Sequence, residues 1–515
     1  MVSSQIVWVL VAFVAYMAMM IVIGALYMKK TASSEDYFLG GRGLGGFVAA
    51  LSAQASDMSG WLLMGLPGAV YAFGTGQAWI AIGLLAGTIL NWIFVSGKLR
   101  KYTIQANNSL TLPSYFENRF HDKKRILLTV SSIVIVIFFL VYTASAFAAG
   151  GKLFNLVFGV DYKIALTIGA AVILIYTFMG GFMAVCVTDF IQGLLMLVGV
   201  LTVPIIAFCI VGGTGQMKSL LDASAVAGGS ASFLNLMENG GKPYTAMEIF
   251  SQLAWGFGYF GMPHILVRFM AVKDEKEIKK SKWVAIIWCT LSLTFACFIG
   301  VLGRAYLYPT VLGQDGASST ENVFIEMIKK VFMSDFALPF VGGLFLCGIL
   351  AAIMSTADSQ LLVTASAVSE DLFHKMIKPK ADSKKVLLVS RITVLVVAVV
   401  AYVIALNPNN SIMGLVSNAW AGFGAAFGPL VLLSLYWKRT NLPGAIAGMV
   451  SGALTIIIWD YIPLVNGQTL GAATGLYSLA IGFVISFVLI VAVSLLTKAP
   501  DQQIVEEFEA VRKEN

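Results

Sequence analysis

Charge is scarce in this chain: charged residues make up 12% of its 515 positions, whereas an average soluble domain has about 25%. Hydrophobic residues make up 58%. An ordinary soluble fold needs more polar surface than this composition can supply. The composition therefore predicts an all-α integral membrane protein, in which long apolar runs alternate with short polar loops.

Residues of the kinds that carry enzyme or cofactor chemistry are also few. The five cysteines contain no CxxC pair and fall in or beside apolar runs, which argues against a disulfide framework or a metal site. The three histidines are scattered. A GxGxxG match over residues 41–46 has no preceding strand, and no Walker A motif or nucleophile elbow is found. We therefore expect no enzyme, no cofactor and no nucleotide partner.

Apolar stretches of about 20 residues, the length that a membrane-crossing helix needs, occur about thirteen times. We number them spans 1 to 13 and keep these numbers below. They lie near residues 5–27, 45–72, 77–97, 126–150, 162–182, 188–212, 246–270, 283–306, 337–363, 386–406, 411–436, 443–461 and 473–497.

The basic residues are distributed unevenly between the two sides of such a bundle. Most of the 34 Lys and Arg residues fall after spans 1, 3, 7, 9 and 11 or in the C-terminal tail. Because cytoplasmic loops carry the excess of positive charge, the N-terminus is predicted outside the cell membrane and the C-terminus in the cytoplasm. No single loop forms a continuous basic face, so the net charge of +7 does not indicate nucleic-acid binding.

Two spans carry sequence that would interrupt a helix. Span 2 holds Asp57 among small and hydroxyl residues, and span 7 holds three glycines and a proline between Trp255 and His264. Broken helices at matching places in two halves are the sequence sign of a transporter site. Spans 2–6 and 7–11 are therefore candidate five-helix repeats. Because each repeat has an odd number of spans, the two repeats would cross the membrane in opposite directions. The alternatives are a small-residue packing face in span 2 and a ligand-free hinge in span 7.

Span 9 contains a third polar run, over residues 351–359. Sodium is a hard cation that takes oxygen ligands, and the hydroxyls of Ser355 and Thr356 could join carbonyls of an unwound span 2. The alternative is that both hydroxyls bond back to their own helix.

Six segments resemble the sodium/solute symporter family, most closely its sodium/proline symporter branch. They are LSAQASDMSGWLLMGLPGAV (51–70), TLPSYFENRF (111–120), GGFMAVCVTD (180–189), WGFGYFGMPHILVRFM (255–270), ILAAIMSTADSQLLV (349–363) and AWAGFGAAFGP (419–429). The resemblance implies a leucine-transporter-like fold with extra helices at both ends. It also implies sodium-coupled import of L-proline by alternating access.

The resemblance assigns a role to each of fourteen residues. The sodium ligands would be Ala55, Met58, Ala352, Ser355 and Thr356, with Asp57 supporting the coupling. The residues near proline would be Ser59, Gly60, Tyr142, Trp255, Tyr259 and Pro263, and those of an inner gate region would be Arg42 and Asp189. Met262 and Ser359 depart from the Gln and Cys expected in this branch, and neither removes a sodium ligand.

One transmembrane transporter domain is expected over residues 1–515. Its parts would be an N-terminal helix and loop (1–43), repeat 1 (44–212), repeat 2 (246–437), two extra helices (443–497) and a cytoplasmic tail (498–515). Two alternatives stay open: a symporter of this family for pantothenate, a sugar or an anion, and a membrane sensor or channel without active transport.

Overall fold

Long apolar helices dominate the computed structural model of the protein, which describes residues 3–28, 34–179, 181–314 and 319–513. Within these ranges ten helices are long and apolar enough to cross a membrane, and two shorter apolar helices cover Trp61–Phe73 and Tyr162–Ile175. Each of the thirteen predicted stretches contains helix, but the number of crossings stays a prediction. Gly180, residues 29–33 of the predicted N-terminal loop and residues 514–515 of the predicted tail lie outside the described ranges.

Most spans are single helices. These are Ser3–Met28 (span 1), Ile126–Phe158 (span 4), Tyr162–Met179 (span 5), Phe182–Val211 (span 6), Glu275–Tyr306 (span 8), Ser383–Ala405 (span 10), Ile412–Tyr436 (span 11), Leu442–Tyr461 (span 12) and Ser478–Leu496 (span 13). Span 3 runs through Thr75–Gln77, Ala78–Leu90, Asn91–Val95 and Ser96–Gln105 with one π-helical turn, and span 9 continues from Pro339–Ser366 into a π-helical end, Ala367–Ile377.

Spans 2 and 7 are interrupted, as the sequence predicts. Span 2 consists of Gly46–Asp57, a break at residues 58–60, a π-helical turn Trp61–Gly65 and the helix Leu66–Phe73. Span 7 consists of Ala246–Leu253, a 3₁₀ segment Ala254–Phe260 and the helix Pro263–Ala271. Proline can begin a helix because its missing N–H would have no partner in the first turn, so Pro263 stands where the chain resumes its helix.

Short elements connect the spans. The α-helical ones are Ser34–Leu39, Leu112–Arg119, Thr214–Ala223, Gly229–Phe233, Val323–Lys329, Leu470–Thr474 and Gln502–Lys513, and the 3₁₀ and π-helical ones are Gly40–Arg42, Thr320–Asn322 and Lys330–Asp335. Strands Glu238–Asn239 and Lys242–Pro243 pair antiparallel, Glu238 with Pro243 and Asn239 with Lys242.

The broken spans lie at the centre of the bundle. Span 9 packs against spans 1, 4 and 6, and span 11 packs against spans 4 and 13 and the 3₁₀ segment of span 7. Spans 9 and 11 are mostly buried, whereas spans 1 and 10 expose many apolar side chains. Exposed apolar helix faces suit contact with lipid, so spans 1 and 10 are peripheral. The parts of the broken spans on either side of each break, residues 49–71 of span 2 and 254–271 of span 7, are mostly buried.

Candidate functional site

Hydroxyl and carbonyl oxygens of spans 2 and 9 meet in the centre of the bundle. The Ser355 hydroxyl donates to the carbonyl of Ala55 at 2.8 Å and lies 3.3 Å from that of Ala352. The Thr356 hydroxyl lies 3.1 Å from the carbonyl of Ala352 and 3.5 Å from that of Ala55. All four residues are fully buried. Positions 352, 355 and 356 share one helix face, so the Ala352 carbonyl lies beside the two hydroxyls that span 9 presents to span 2. We call these four residues the oxygen set.

Hydrogen bonds from serine and threonine to their own helix do not explain the contact between spans 2 and 9. Serine and threonine commonly bond to a carbonyl one turn back, as the Thr356 hydroxyl does at Ala352 at 3.1 Å. The carbonyl of Ala55, however, belongs to the other span and lies at the end of its first helix. Four of the five residues that the resemblance assigns to sodium are therefore linked, because the two hydroxyls contact both carbonyls.

Met58, the fifth, marks the end of that helix. Its φ of −81° and ψ of 72° turn the chain out of the helix, while its N–H still bonds to the carbonyl of Gln54 at 2.8 Å. Gly60 follows, and a Cβ at that position would lie 3.0 Å from the Ala149 side chain. Glycine at residue 60 therefore lets span 4 approach the break closely.

Asp57 connects this break to spans 4 and 7. Its carboxylate Oδ2 accepts a hydrogen bond of 2.6 Å from the Tyr259 hydroxyl. Its carbonyl accepts from the Trp61 indole at 2.9 Å, from the Ser59 N–H at 2.9 Å and from the Tyr142 hydroxyl at 3.5 Å. The other carboxylate oxygen, Oδ1, is buried and has no hydrogen-bond partner among the described residues. Asp57 Oδ1 is therefore a hydrogen-bond acceptor that faces the interior of the protein at the break.

Four residues predicted near substrate, three aromatic ones and Pro263, divide into two groups. Tyr142 and Tyr259 lie at the break through their contacts with Asp57. Trp255 lies one turn before Tyr259, and its ring stacks on Tyr477 of span 13 with centroids 4.8 Å apart. Pro263 lines a small separate cavity with residues of spans 4, 6 and 9. The structure therefore brings two of these four residues directly to Asp57.

A buried arginine that the sequence interpretation had not assigned to the site joins four spans. The Arg268 guanidinium donates to Asp189 of span 6 at 3.1 Å, Ser52 of span 2 at 3.0 Å, Ser359 of span 9 at 2.5 Å and the carbonyl of His264 in span 7 at 2.6 Å. Arg268 and Asp189 are 1% and 0% exposed. Additional hydrogen bonds offset the cost of burying such a pair, and the structure supplies them to Arg268 and to Oδ2 of Asp189, whereas Oδ1 of Asp189 has no partner among the described residues. In the sequence, the position of Arg268 inside the apolar run 255–270 is the feature that indicates a buried charge.

Arg42 and Asp189, which the resemblance places together in a gate region, have separate partners. Asp189 bonds to Ser52 and Arg268 inside the bundle. Arg42 donates to the side chains of Asn108 and Thr103 and to the carbonyls of Ser109 and Met270. Arg42 therefore connects the loop after span 3 to the end of span 7.

The oxygen set is suited to a hard cation. Hard cations take carboxylate, carbonyl and hydroxyl oxygens as ligands. Among the described residues no group of three or more His, Cys, Asp and Glu side chains could hold a metal ion, so a cation there would rely on carbonyls and hydroxyls.

Many helical spans, two of them broken beside a buried oxygen set, define a class: a multi-pass membrane transporter. Within this class, the chain belongs to the sodium:solute symporter family, whose sequence model matches residues 37–452.

Curated relatives match nearly the full length. The sodium/proline symporter of Escherichia coli is 44% identical over 97% of this chain and 95% of its own length. The osmoregulated proline transporter of Bacillus subtilis is 43% identical over 96% of this chain and 95% of its own. The high-affinity proline transporter of the same organism is 44% identical over 95% of this chain and 98% of its own.

Solved structures share the fold. A Na⁺-coupled sialic acid symporter in a substrate-bound outward-open state has a TM-score of 0.73 at 19% identity, covering 96% of this chain and 99% of its own. MhsT in complex with L-phenylalanine has a TM-score of 0.53 at 16% identity, covering 87% and 97%. The predicted leucine-transporter-like fold is thereby confirmed. The repeat boundaries at 44–212 and 246–437 stay predictions.

Proposed function

We propose that this protein imports L-proline together with sodium by alternating access. The observation that carries the proposal is the contact of the Ser355 and Thr356 hydroxyls with the Ala55 carbonyl beside the break in span 2. The printed names of the relatives at 43–44% identity supply the substrate and the coupling ion.

In this proposal sodium is bound by the oxygen set together with the carbonyl of Met58. Sodium there would hold span 9 against the broken helix of span 2. An ion that fixes these two spans also fixes the neighbouring break, so proline and sodium would each raise the affinity for the other. Asp57, whose carboxylate accepts a hydrogen bond from Tyr259, would transmit the effect of sodium binding to span 7.

Proline is proposed to bind at the break, near Ser59, Gly60, Tyr142, Trp255, Tyr259 and Pro263. Free N–H groups at a helix start attract the substrate carboxylate, and free carbonyls at a helix end attract its ammonium group. The aromatic rings would cover the pyrrolidine ring. Every one of these residues is buried, so a molecule bound among them would be shielded from solvent.

The proposed orientation has the N-terminus outside the cell membrane and the tail 498–515 in the cytoplasm. The excess of Lys and Arg on the tail side supports it. In either orientation of the chain, the membrane potential, negative inside, drives sodium inward by about 2.3 kcal/mol per 100 mV for each charge. Arg42 and Asp189 are proposed to act in closing the cytoplasmic side, each through its own contacts.

The test is uptake of radiolabelled L-proline by proteoliposomes that contain the purified protein. We expect accumulation against the proline gradient, driven by inward sodium and abolished by a sodium ionophore. Unlabelled proline should compete, and pantothenate, a sugar or an inorganic anion should not. Equilibration without accumulation would indicate a channel, and competition by another solute would replace proline as the substrate.

A further inference from the structure

A second cavity lies at the end of the bundle that the proposed orientation places outside. It is a cleft of about 460 Å³ between the ends of spans 2, 3, 7, 11, 12 and 13. We call it the outer cleft. Its volume falls in the range of pockets that hold small organic molecules. None of the residues of the oxygen set lines it, so it is a separate site.

Trp255 lines the outer cleft and is also close in the chain to the central site. The Trp255 ring and the Tyr477 ring form one of its walls, stacked at 4.8 Å with an angle of 22° between their planes. Tyr477 is held in place because its N–H donates to the Ser251 hydroxyl at 2.7 Å and its own hydroxyl donates to the Ser417 carbonyl at 2.8 Å. Trp255 is one helical turn from Tyr259, which bonds to Asp57. Trp255 therefore lies in the wall of the cleft and one helical turn from the residue that contacts the break in span 2.

The outer cleft carries a negative charge. Among the described residues that line it, Asp460 is the only charged one. The Ser478 hydroxyl donates to one of its carboxylate oxygens at 2.8 Å. Its side chain is partly exposed, so a solute in the cleft can reach it. A carboxylate beside two stacked aromatic rings is suited to an organic ammonium group attached to an apolar ring.

We propose that the outer cleft is a docking subsite, in which a small amino-acid zwitterion from outside is held by Asp460 and the Trp255–Tyr477 pair before it passes to the central site. This inference rests on the proposed function, since it takes the transported amino acid as the occupant. Sodium could use the polar side chains of the cleft but gains little from the stacked Trp255 and Tyr477 rings, whereas an ammonium group attached to an apolar ring uses both, so the substrate is the favoured occupant.

The experiment compares Asp460→Asn with wild type in proteoliposomes at saturating sodium. The measured quantities are kcat/KM and kcat for proline uptake and the half-saturating sodium concentration. We expect kcat/KM to fall about fivefold, the size of one charge–charge contact near 4 Å in water, with kcat unchanged. Asp460→Glu keeps the charge and should retain most of the wild-type value. Asp161→Asn removes an exposed carboxylate elsewhere on the proposed outer side and is the matched control.

Ionic strength separates electrostatic docking from a structural role. Adding potassium chloride at constant sodium should shrink the difference between wild type and Asp460→Asn, because screening weakens the attraction. Equal kcat/KM for both proteins would overturn the proposal, and so would a change in sodium dependence alone or a loss of kcat in both the Asn and Glu variants. If the wild-type protein accumulates no proline, the proposed function itself is wrong and the docking subsite falls with it.

Discussion

Asp57 is the residue at which most contacts of the candidate site meet. Its carboxylate is fully buried in the middle of the bundle, where an ionised group is costly and usually functional. The Tyr259 hydroxyl is the hydrogen-bond donor to Oδ2, and Oδ1 has no partner among the described residues. The arrangement holds the side chain in one orientation and leaves one oxygen available.

Tyr259→Phe tests whether that orientation matters. The substitution removes a hydrogen bond to a charged group, which contributes roughly 1.5–3 kcal/mol. We expect kcat/KM for sodium-driven uptake to fall at least about tenfold. Tyr142→Phe is the matched variant, and its loss should be smaller because its hydroxyl lies 3.5 Å from a carbonyl. Equal losses in the two variants would contradict a special role for the Tyr259–Asp57 bond.

Arg268→Met tests the buried arginine. Removing the guanidinium leaves Asp189 without its counter-ion, which costs about 3–5 kcal/mol when the pair is buried. The melting temperature of the purified protein should drop sharply, and the double variant Arg268→Met, Asp189→Asn should recover part of the loss. A single variant as stable as wild type would show that Arg268 does not hold the four spans together.

The sequence indicates the polar residues of this region better than it indicates their partners. Ser355, Thr356 and Asp57 stand out because polar groups are rare in membrane spans. The partners are carbonyls or residues hundreds of positions away, which no local pattern reveals. Arg268 stands two residues before the predicted end of span 7, residue 270, and such ends are known only to a few positions, so the sequence alone does not show that Arg268 is buried.

At the scale of elements, the two breaks were predictable and the ends of helices were not. Glycine and proline weaken helices in a direct way, so the interruptions of spans 2 and 7 follow from composition. Span 9 was predicted to end near residue 363, where the apolar run stops, but its π-helical end continues to Ile377. Packing of charged residues such as Asp371 against Thr111 and Ser114 stabilises that extension, and the apolar pattern does not record it.

The 3₁₀ segment of span 7 depends on close contact with span 3. A Cβ on Gly87 would lie 2.2 Å from the carbonyl of Gly256, so Gly87→Ala forces the two backbones apart. Overpacking of this kind costs about 1–3 kcal/mol, and we expect a lower melting temperature and slower uptake. Gly97→Ala, also in span 3, meets nothing within 4 Å and should leave both unchanged or slightly raise stability. If Gly87→Ala changed neither the melting temperature nor the uptake rate, the 3₁₀ segment would not depend on this close contact with span 3.

At the scale of the whole molecule, composition predicts the class and the charge pattern predicts the sides. The outer cleft agrees with the alternation of spans, because all six span ends that form it belong to one side of the predicted topology. Composition could not predict how the spans pack. The stacking of Tyr477 from span 13 on Trp255 of span 7 joins parts of the chain more than 200 residues apart.

The orientation is tested by labelling introduced cysteines. In intact cells a membrane-impermeant thiol reagent should label Lys218→Cys, which is exposed in the loop after span 6, and spare Lys384→Cys, which is exposed after span 9. The parent chain gives the background from its five native cysteines. The opposite pattern would place the N-terminus in the cytoplasm.

The central claim is that sodium bound at the oxygen set raises the affinity for proline. The most direct measurement is the dissociation constant of labelled proline for purified protein, with and without sodium, in wild type, Ser355→Ala and Thr356→Ala. We predict at least about tenfold tighter binding with sodium in wild type, a coupling of about 1.4 kcal/mol, and little or no difference in the two variants. An equal sodium effect in all three proteins would contradict the account.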